Sequence, residues 1–161
     1  MKESPRRKQN RLEAFDYASD GAYFLTICTD GRRCMLADVV GAHSVRPPFV
    51  QLSKVGRIVD AAIRAIPEHY QGVLVEKYVI MPNHVHMILR LESISEKGIY
   101  PPAIHRIVKQ MKEAVTKQAG APVWQKGFYD HVIRNQADFD EIWRYIDENP
   151  MKWALDRYYD E

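Results

Sequence analysis

Tyr78-Val79-Ile80-Met81-Pro82-Asn83-His84-Val85-His86-Met87-Ile88-Leu89-Arg90-Leu91 is the stretch on which the fold turns. Apolar and β-branched residues lie on both sides of Pro82-Asn83, a pair that punctuates extended chain. The pattern predicts one strand over Val73 to Ile80 and another over His84 to Leu91. Strand side chains alternate between faces, so Val85, Met87, Leu89 and Leu91 share one side and His84, His86, Ile88 and Arg90 the other. The first set is wholly apolar and suits a face covered by helices. The second puts two imidazoles side by side, with Cα atoms about 6.5–7 Å apart.

Before this stretch, Ala22-Tyr23-Phe24-Leu25-Thr26-Ile27-Cys28-Thr29 is rich in aromatic and β-branched residues and ends at Asp30-Gly31, which predicts a strand and a turn. Residues 38–50, with Gly41, Pro47 and Pro48, are expected to form a loop. From Ser53, a fitting N-cap, Val55, Ile58, Val59, Ala62, Ile63 and Ile66 follow helical spacing, with Pro67 placed just past the end. After it, residues 92–102 read as a loop. Ile104, Ile107, Val108, Met111 and Val115 mark a second amphipathic helix stopped by Gly120. Val123 to Arg134 is expected to hold a fourth strand, with Gly127 as a point of entry, and Ala137 to Asn149 a third helix with Phe139, Ile142, Trp143 and Ile146 on its packing side.

The order strand, helix, strand, strand, helix, strand matches the split βαβ, ferredoxin-like α+β arrangement, an antiparallel sheet with two helices on one face. The first and third strands then lie at its centre, and the additional C-terminal helix is expected across the other face. Length bounds this to one domain: 161 residues, 46% of them hydrophobic, are enough for a single core. We divide the chain into a basic arm (1–15), one domain (16–153) and an acidic tail (154–161).

Two cysteines, Cys28 and Cys34, make neither a disulfide framework nor a four-ligand zinc site. No apolar run reaches the length of a membrane span, and Met1 to Arg11 is too polar for a secretory signal. A cytoplasmic protein without a membrane partner is the expectation. Net charge is +2, unevenly distributed. Lys2, Arg6, Arg7, Lys8 and Arg11 crowd the start against Glu3, whereas acids dominate from residue 137 onward. Such an arm suits a polyanion, or simply keeps the chain soluble.

Neutral imidazole is a common metal ligand, and His84 and His86 are spaced to converge on one cation; a hydrogen-bonded pair with no metal is the other use of such a motif. On the third helix Glu141, Tyr145 and Asn149 fall at i, i+4 and i+8, one stripe, with Glu148 adjacent. A helix docked on the histidine face can present Tyr145 and Asn149 to that pair. Each also has a plainer reading. Tyr145 can be packing with a wet hydroxyl, and Asn149-Pro150 can be the N-cap and first residue of a further helix through Tyr158.

Taken together, Met81-Pro82-Asn83-His84-Val85-His86 and Tyr145-Ile146-Asp147-Glu148-Asn149-Pro150 resemble the single-tyrosine HUH transposases, and within them the REP-associated tyrosine transposases. Gly21 to Thr29 and Trp124 to Arg134 extend the resemblance, which covers about Asp16 to Trp153. It implies nicking and rejoining of single-stranded DNA next to a hairpin. His84 and His86 would hold a divalent metal, Mg²⁺ or Mn²⁺, with Asn149 as third ligand. Tyr145 would be the nucleophile, leaving a 5′-phosphotyrosine and a free 3′-hydroxyl. Related insertion-sequence enzymes more often carry glutamine at the Asn149 position, so Glu148 or a water can stand in for it. The resemblance leaves monomer and homodimer both open.

For DNA binding, Arg6, Arg7, Lys8 and Arg11 form an expected phosphate-contacting arm, Arg32 and Arg33 follow the first strand, and Lys126 and Arg134 flank the fourth. Two other functions fit the same fold. One is a non-enzymatic module binding single strands through strand aromatics such as Tyr23, Phe24, Tyr78 and Phe128. The other is a relaxase or replication initiator of the HUH class.

Overall fold

The computed structural model describes residues 20–41 and 47–155. The arm residues Arg6, Arg7, Lys8 and Arg11 and most of the acidic tail therefore lie outside the described residues. Six strands and three helices follow in the order β1 (Gly21–Cys28), β2 (Ala37–Val40), β3 (Phe49–Leu52), α1 (Lys54–His69), β4 (Val73–Ile80), β5 (His84–Leu91), α2 (Ile104–Ala119), β6 (Tyr129–Ile133) and α3 (Gln136–Glu148).

The main sheet has the order β4-β5-β1-β6, every neighbouring pair antiparallel. This is the expected α+β arrangement with β1 and β5 central. Alternation sorts the faces as the sequence implies. Tyr23, Leu25 and Ile27 of β1 and Val85, Met87, Leu89 and Leu91 of β5 pack with Val59, Ile63 and Ile66 of α1 and Ile107, Val108, Met111 and Val115 of α2. On the opposite face Ala22, Phe24 and Ile88 meet Ile146, with Phe139, Ile142 and Trp143 of α3 against them. Helix α3 thus buries one sheet face while its other stripe faces outward.

Three local expectations change. The segment expected as a loop over 38–50 has paired flanks: β2 and β3 form a two-stranded sheet of their own, with Ala37 opposite Leu52. Pro67 lies inside α1 rather than beyond it. A proline costs a helix one backbone donor, but this one falls in the last turn, where Ile66 is buried and the helix has only two more residues to run. The fourth strand is short. Only Tyr129–Ile133 pairs continuously with β1, and Trp124 makes an isolated bridge to Thr29. Between them Gly127 takes φ +81°, off the extended path.

Ser53 caps α1 as expected, its side chain accepting from the Gly56 N–H at 3.0 Å. Gly56 itself cannot be larger: a Cβ there would sit 2.0 Å from the Leu36 carbonyl oxygen. That close approach locks α1 against the segment following β1, the same segment that supports the histidines.

Candidate active site

Register in the sheet builds the site. Cys28 lies opposite His84 and Thr26 opposite His86, so both imidazoles stand on the face that α3 covers. Both are fully buried, at 0% and 1% exposure. Their ring centroids are 4.5 Å apart, the planes inclined at 67°.

Each ring is fixed through Nδ1. His84 Nδ1 lies 2.8 Å from Asn83 Oδ1. The Asn83 amide is itself oriented, because Nδ2 donates to the Arg32 carbonyl at 3.2 Å. Its Oδ1 therefore faces His84 as an acceptor, so His84 Nδ1 carries the proton and Nε2 the lone pair. His86 Nδ1 lies 2.9 Å from Thr26 Oγ1, a hydroxyl able to accept in the same way. The buried Nε2 atoms are then the ones with basic lone pairs. Fixing the far nitrogen of a ligating histidine is how proteins orient metal ligands.

From α3, Tyr145 places its ring 5.1 Å from that of His86 and 6.1 Å from that of Phe24, centroid to centroid. The tyrosine is 40% exposed, so a substrate can reach it. Asn149 is buried and continues the helical path, with φ −55° and ψ −46°, its Nδ2 donating to the Tyr145 carbonyl at 3.0 Å. A helix N-cap needs extended backbone, so the reading of Asn149 as the start of a new helix fails. A short 3-10 turn, Trp153–Leu155, follows instead. The Trp153 ring lies 5.9 Å from that of His84.

The donor set fits a divalent cation. Asn149 Oδ1 is buried and has no hydrogen-bond partner among the described residues, an arrangement that costs free energy unless a ligand satisfies it. No group of three or more His, Cys, Asp or Glu side chains able to hold a metal exists among the described residues. A site here must complete itself with the Asn149 amide or water. Glu148 is drawn away: its carboxylate pairs with Lys152.

Other expected residues are dispersed. Arg32 and Arg33 are exposed in the turn after β1, and the Arg32 carbonyl accepts from the Asn83 amide. Lys126 is exposed on a loop held by Lys112, whose Nζ donates to the Gln125 and Gly127 carbonyls; burial lowers the Lys112 pKa. Arg134 follows the far end of β6, about 17 Å along the strand from Tyr129. Sequence reasoning missed Asn83 and Thr26, the residues that orient the histidines. The adjacency of Asn83 to His84 was the available signal. Nor do Tyr23, Phe24 and Tyr78 form a stacking surface. Tyr23 points into the helix-side core, Phe24 lies under α3, and the Tyr78 hydroxyl donates to Asp60 at 2.6 Å.

No family model matches the chain. An uncharacterised protein of Haemophilus influenzae is 30% identical over 174 aligned positions, covering 95% of this chain and 93% of that one. A second protein of that organism, described as a "Putative REP-associated tyrosine transposase", is 23% identical over 147 positions, covering 85% of this chain and 74% of its own length. Among solved structures, a REP-associated tyrosine transposase bound to a REP hairpin superposes with a TM-score of 0.65 at 23% identity, over 88% of this chain and 74% of that one. A transposase-like protein of Deinococcus radiodurans, described in its structure as a "putative transposase", superposes at 0.51 with 17% identity, over 86% and 97%.

The fold is therefore the transposase fold, carrying a buried histidine pair with a helix-borne tyrosine beside it. In fold and in sequence the chain is similar to the REP-associated tyrosine transposases, the family that its motifs resemble.

Proposed function

We propose that the protein is a metal-dependent endonuclease and strand transferase that acts on single-stranded DNA next to a hairpin, with Tyr145 as nucleophile. The observation that carries this reading is the 5.1 Å separation between the rings of Tyr145 and His86. Similarity to a REP-associated tyrosine transposase and the hairpin bound by the similar solved structure support it. No helix among the described residues is long and apolar enough to cross a membrane.

His84, His86 and Asn149 would hold Mg²⁺ or Mn²⁺, with Asn83 and Thr26 fixing the two imidazoles. When bound, such an ion neutralises the non-bridging oxygens of a phosphodiester as a Lewis acid. Tyr145 supplies the attacking phenol oxygen. Its proton must leave, because a phenol near pKa 10 is a poor nucleophile when neutral. The new P–O bond to Tyr145 forms as the bond to the 3′-oxygen breaks, and that oxygen leaves as a hydroxyl after taking up a proton. The phosphotyrosine keeps the energy of the bond, so a 3′-hydroxyl can reverse the step and rejoin strands without ATP. Helix α3 sets the approach, since its packing residues Ile142, Trp143 and Ile146 hold Tyr145 at the rim of the buried pair.

Incubation with a labelled hairpin-bearing single strand and Mn²⁺, followed by denaturing electrophoresis, tests the reading. A covalent adduct that disappears in Tyr145→Phe is expected. Tight binding with no adduct on any substrate would favour a binding module instead.

A further inference from the structure

A groove of about 570 Å³ runs beside Tyr145, between α3 and the last strand of the described sheet. Its lining includes Phe24, His86, Tyr129, His131, Asp138 and Glu141. Tyr129 is opposite Thr26 and His131 opposite Phe24, so both project from β6 onto the same face as the histidine pair. Thr26 is the residue hydrogen-bonded to His86, so Tyr129 is one strand away from the centre of the site.

Tyr129 is 40% exposed, on a strand otherwise at least half-covered. It and His131 are two residues apart on one face, about 6.8 Å along the strand at ~3.4 Å per residue. That is twice the ~3.4 Å spacing between successive bases of a nucleic-acid strand. The His131 ring is braced: Nε2 donates to Asp138 Oδ2 at 2.8 Å. Asp138 is in turn held at the start of α3, its backbone N–H donating to the Asn135 side chain at 2.9 Å. A braced imidazole does not collapse onto its neighbour.

The groove's charge argues for what enters. Asp138 and Glu141 put carboxylates on its wall, and its lysine, Lys152, is paired with Glu148. A phosphate would be repelled at that wall, whereas an uncharged heteroaromatic ring would not. We propose that Tyr129 and His131 form a slot for one unpaired nucleobase next to the DNA phosphate at Tyr145. The slot rests on the DNA-processing reading above and adds to it a residue pair that stacks on substrate.

The test is equilibrium binding, by fluorescence anisotropy without added metal, of hairpin oligonucleotides carrying one abasic site stepped along the unpaired strand. Tyr129→Ala is expected to weaken binding of the intact oligonucleotide about 5- to 150-fold, the range for loss of one stacked base. At one abasic position wild type and Tyr129→Ala should bind within twofold of each other, and His131→Ala should converge at that same position. Tyr129→Phe should match wild type throughout, which also controls for folding. Equal binding of the intact oligonucleotide by wild type and both alanine variants, or the same penalty at every abasic position, overturns the slot. Adduct formation by the wild type, assayed separately with Mn²⁺, keeps the two readings apart. An adduct without base-specific convergence sinks the slot alone, and convergence without an adduct sinks the nuclease. Failure to bind any hairpin oligonucleotide sinks both.

Discussion

Asn83 holds His84 in a single tautomer: its Oδ1 lies 2.8 Å from His84 Nδ1, while its Nδ2 is committed to the Arg32 carbonyl. The side chain is fully buried, so neither bond can be replaced by water without rearrangement. Asn83→Ala removes both. A stability loss of about 1–3 kcal/mol is expected from the buried groups left unsatisfied. Mn²⁺ affinity is expected to fall 10- to 100-fold, the usual cost of losing the group that orients a ligand. Chemical denaturation and calorimetric metal titration measure the two effects independently.

Helix α3 is fastened to the sheet by Lys77 of β4. Its Nζ lies 2.6 Å from Asp147 and 4.1 Å from the centroid of the Trp143 ring. Both partners flank Tyr145 on the helix, so this contact sets where the phenol points. Lys77→Met keeps the aliphatic stem and loses the charge. Because Asp147 is largely exposed, the stability cost should stay below about 1 kcal/mol. Misplacement of the nucleophile is a larger effect, and adduct formation should slow about 10- to 100-fold. Oligonucleotide affinity should stay within twofold, a split that a general unfolding defect would not produce.

The metal itself gives a third expectation. Two imidazoles and an amide are a poor match for Mg²⁺, which prefers oxygen, and a better one for Mn²⁺. Parallel titrations of strand cleavage should show Mn²⁺ at least as effective as Mg²⁺. Clear inferiority of Mn²⁺ would mean that the imidazoles are not the ligands.

Alkaline pH should weaken the helix side of the sheet. Burial, with the hydrogen bond to Asp60, raises the Tyr78 pKa from 10.0 to about 12. The fold thus favours the neutral phenol. Its contribution to stability is complete below pH 10, where both states are protonated, and is lost as pH rises through 12. Wild type should lose stability across that interval, and Tyr78→Phe should lose less. Denaturant midpoints measured from pH 9 to 12 give the comparison.

Much of this was legible because it depends on alternation. The two-residue period of β5 separates the histidine face from the apolar one, and the register seen in the sheet agrees with it residue by residue. The apolar stripe of α3 likewise identified the side that packs, which left Tyr145 at the rim. What escaped depends on contacts distant in sequence. Val39 and Val50 pair across a proline-containing connection whose composition signals only a loop. Asn83 reads as turn punctuation until the Arg32 carbonyl, 51 residues earlier, is seen to orient its amide. The fourth strand is shorter than the run of apolar residues from Val123 suggests, because it begins only after Gly127, the entry its sequence offered, where the backbone turns left-handed.

The most direct measurement is peptide mapping of the covalent protein–DNA adduct formed with Mn²⁺, by protease digestion and mass spectrometry. The nucleotide mass is expected on the peptide containing Tyr145, joined through a 5′-phosphate. A nucleotide carried instead by Tyr129 or any other residue, or an adduct that persists undiminished in Tyr145→Phe, would contradict the account.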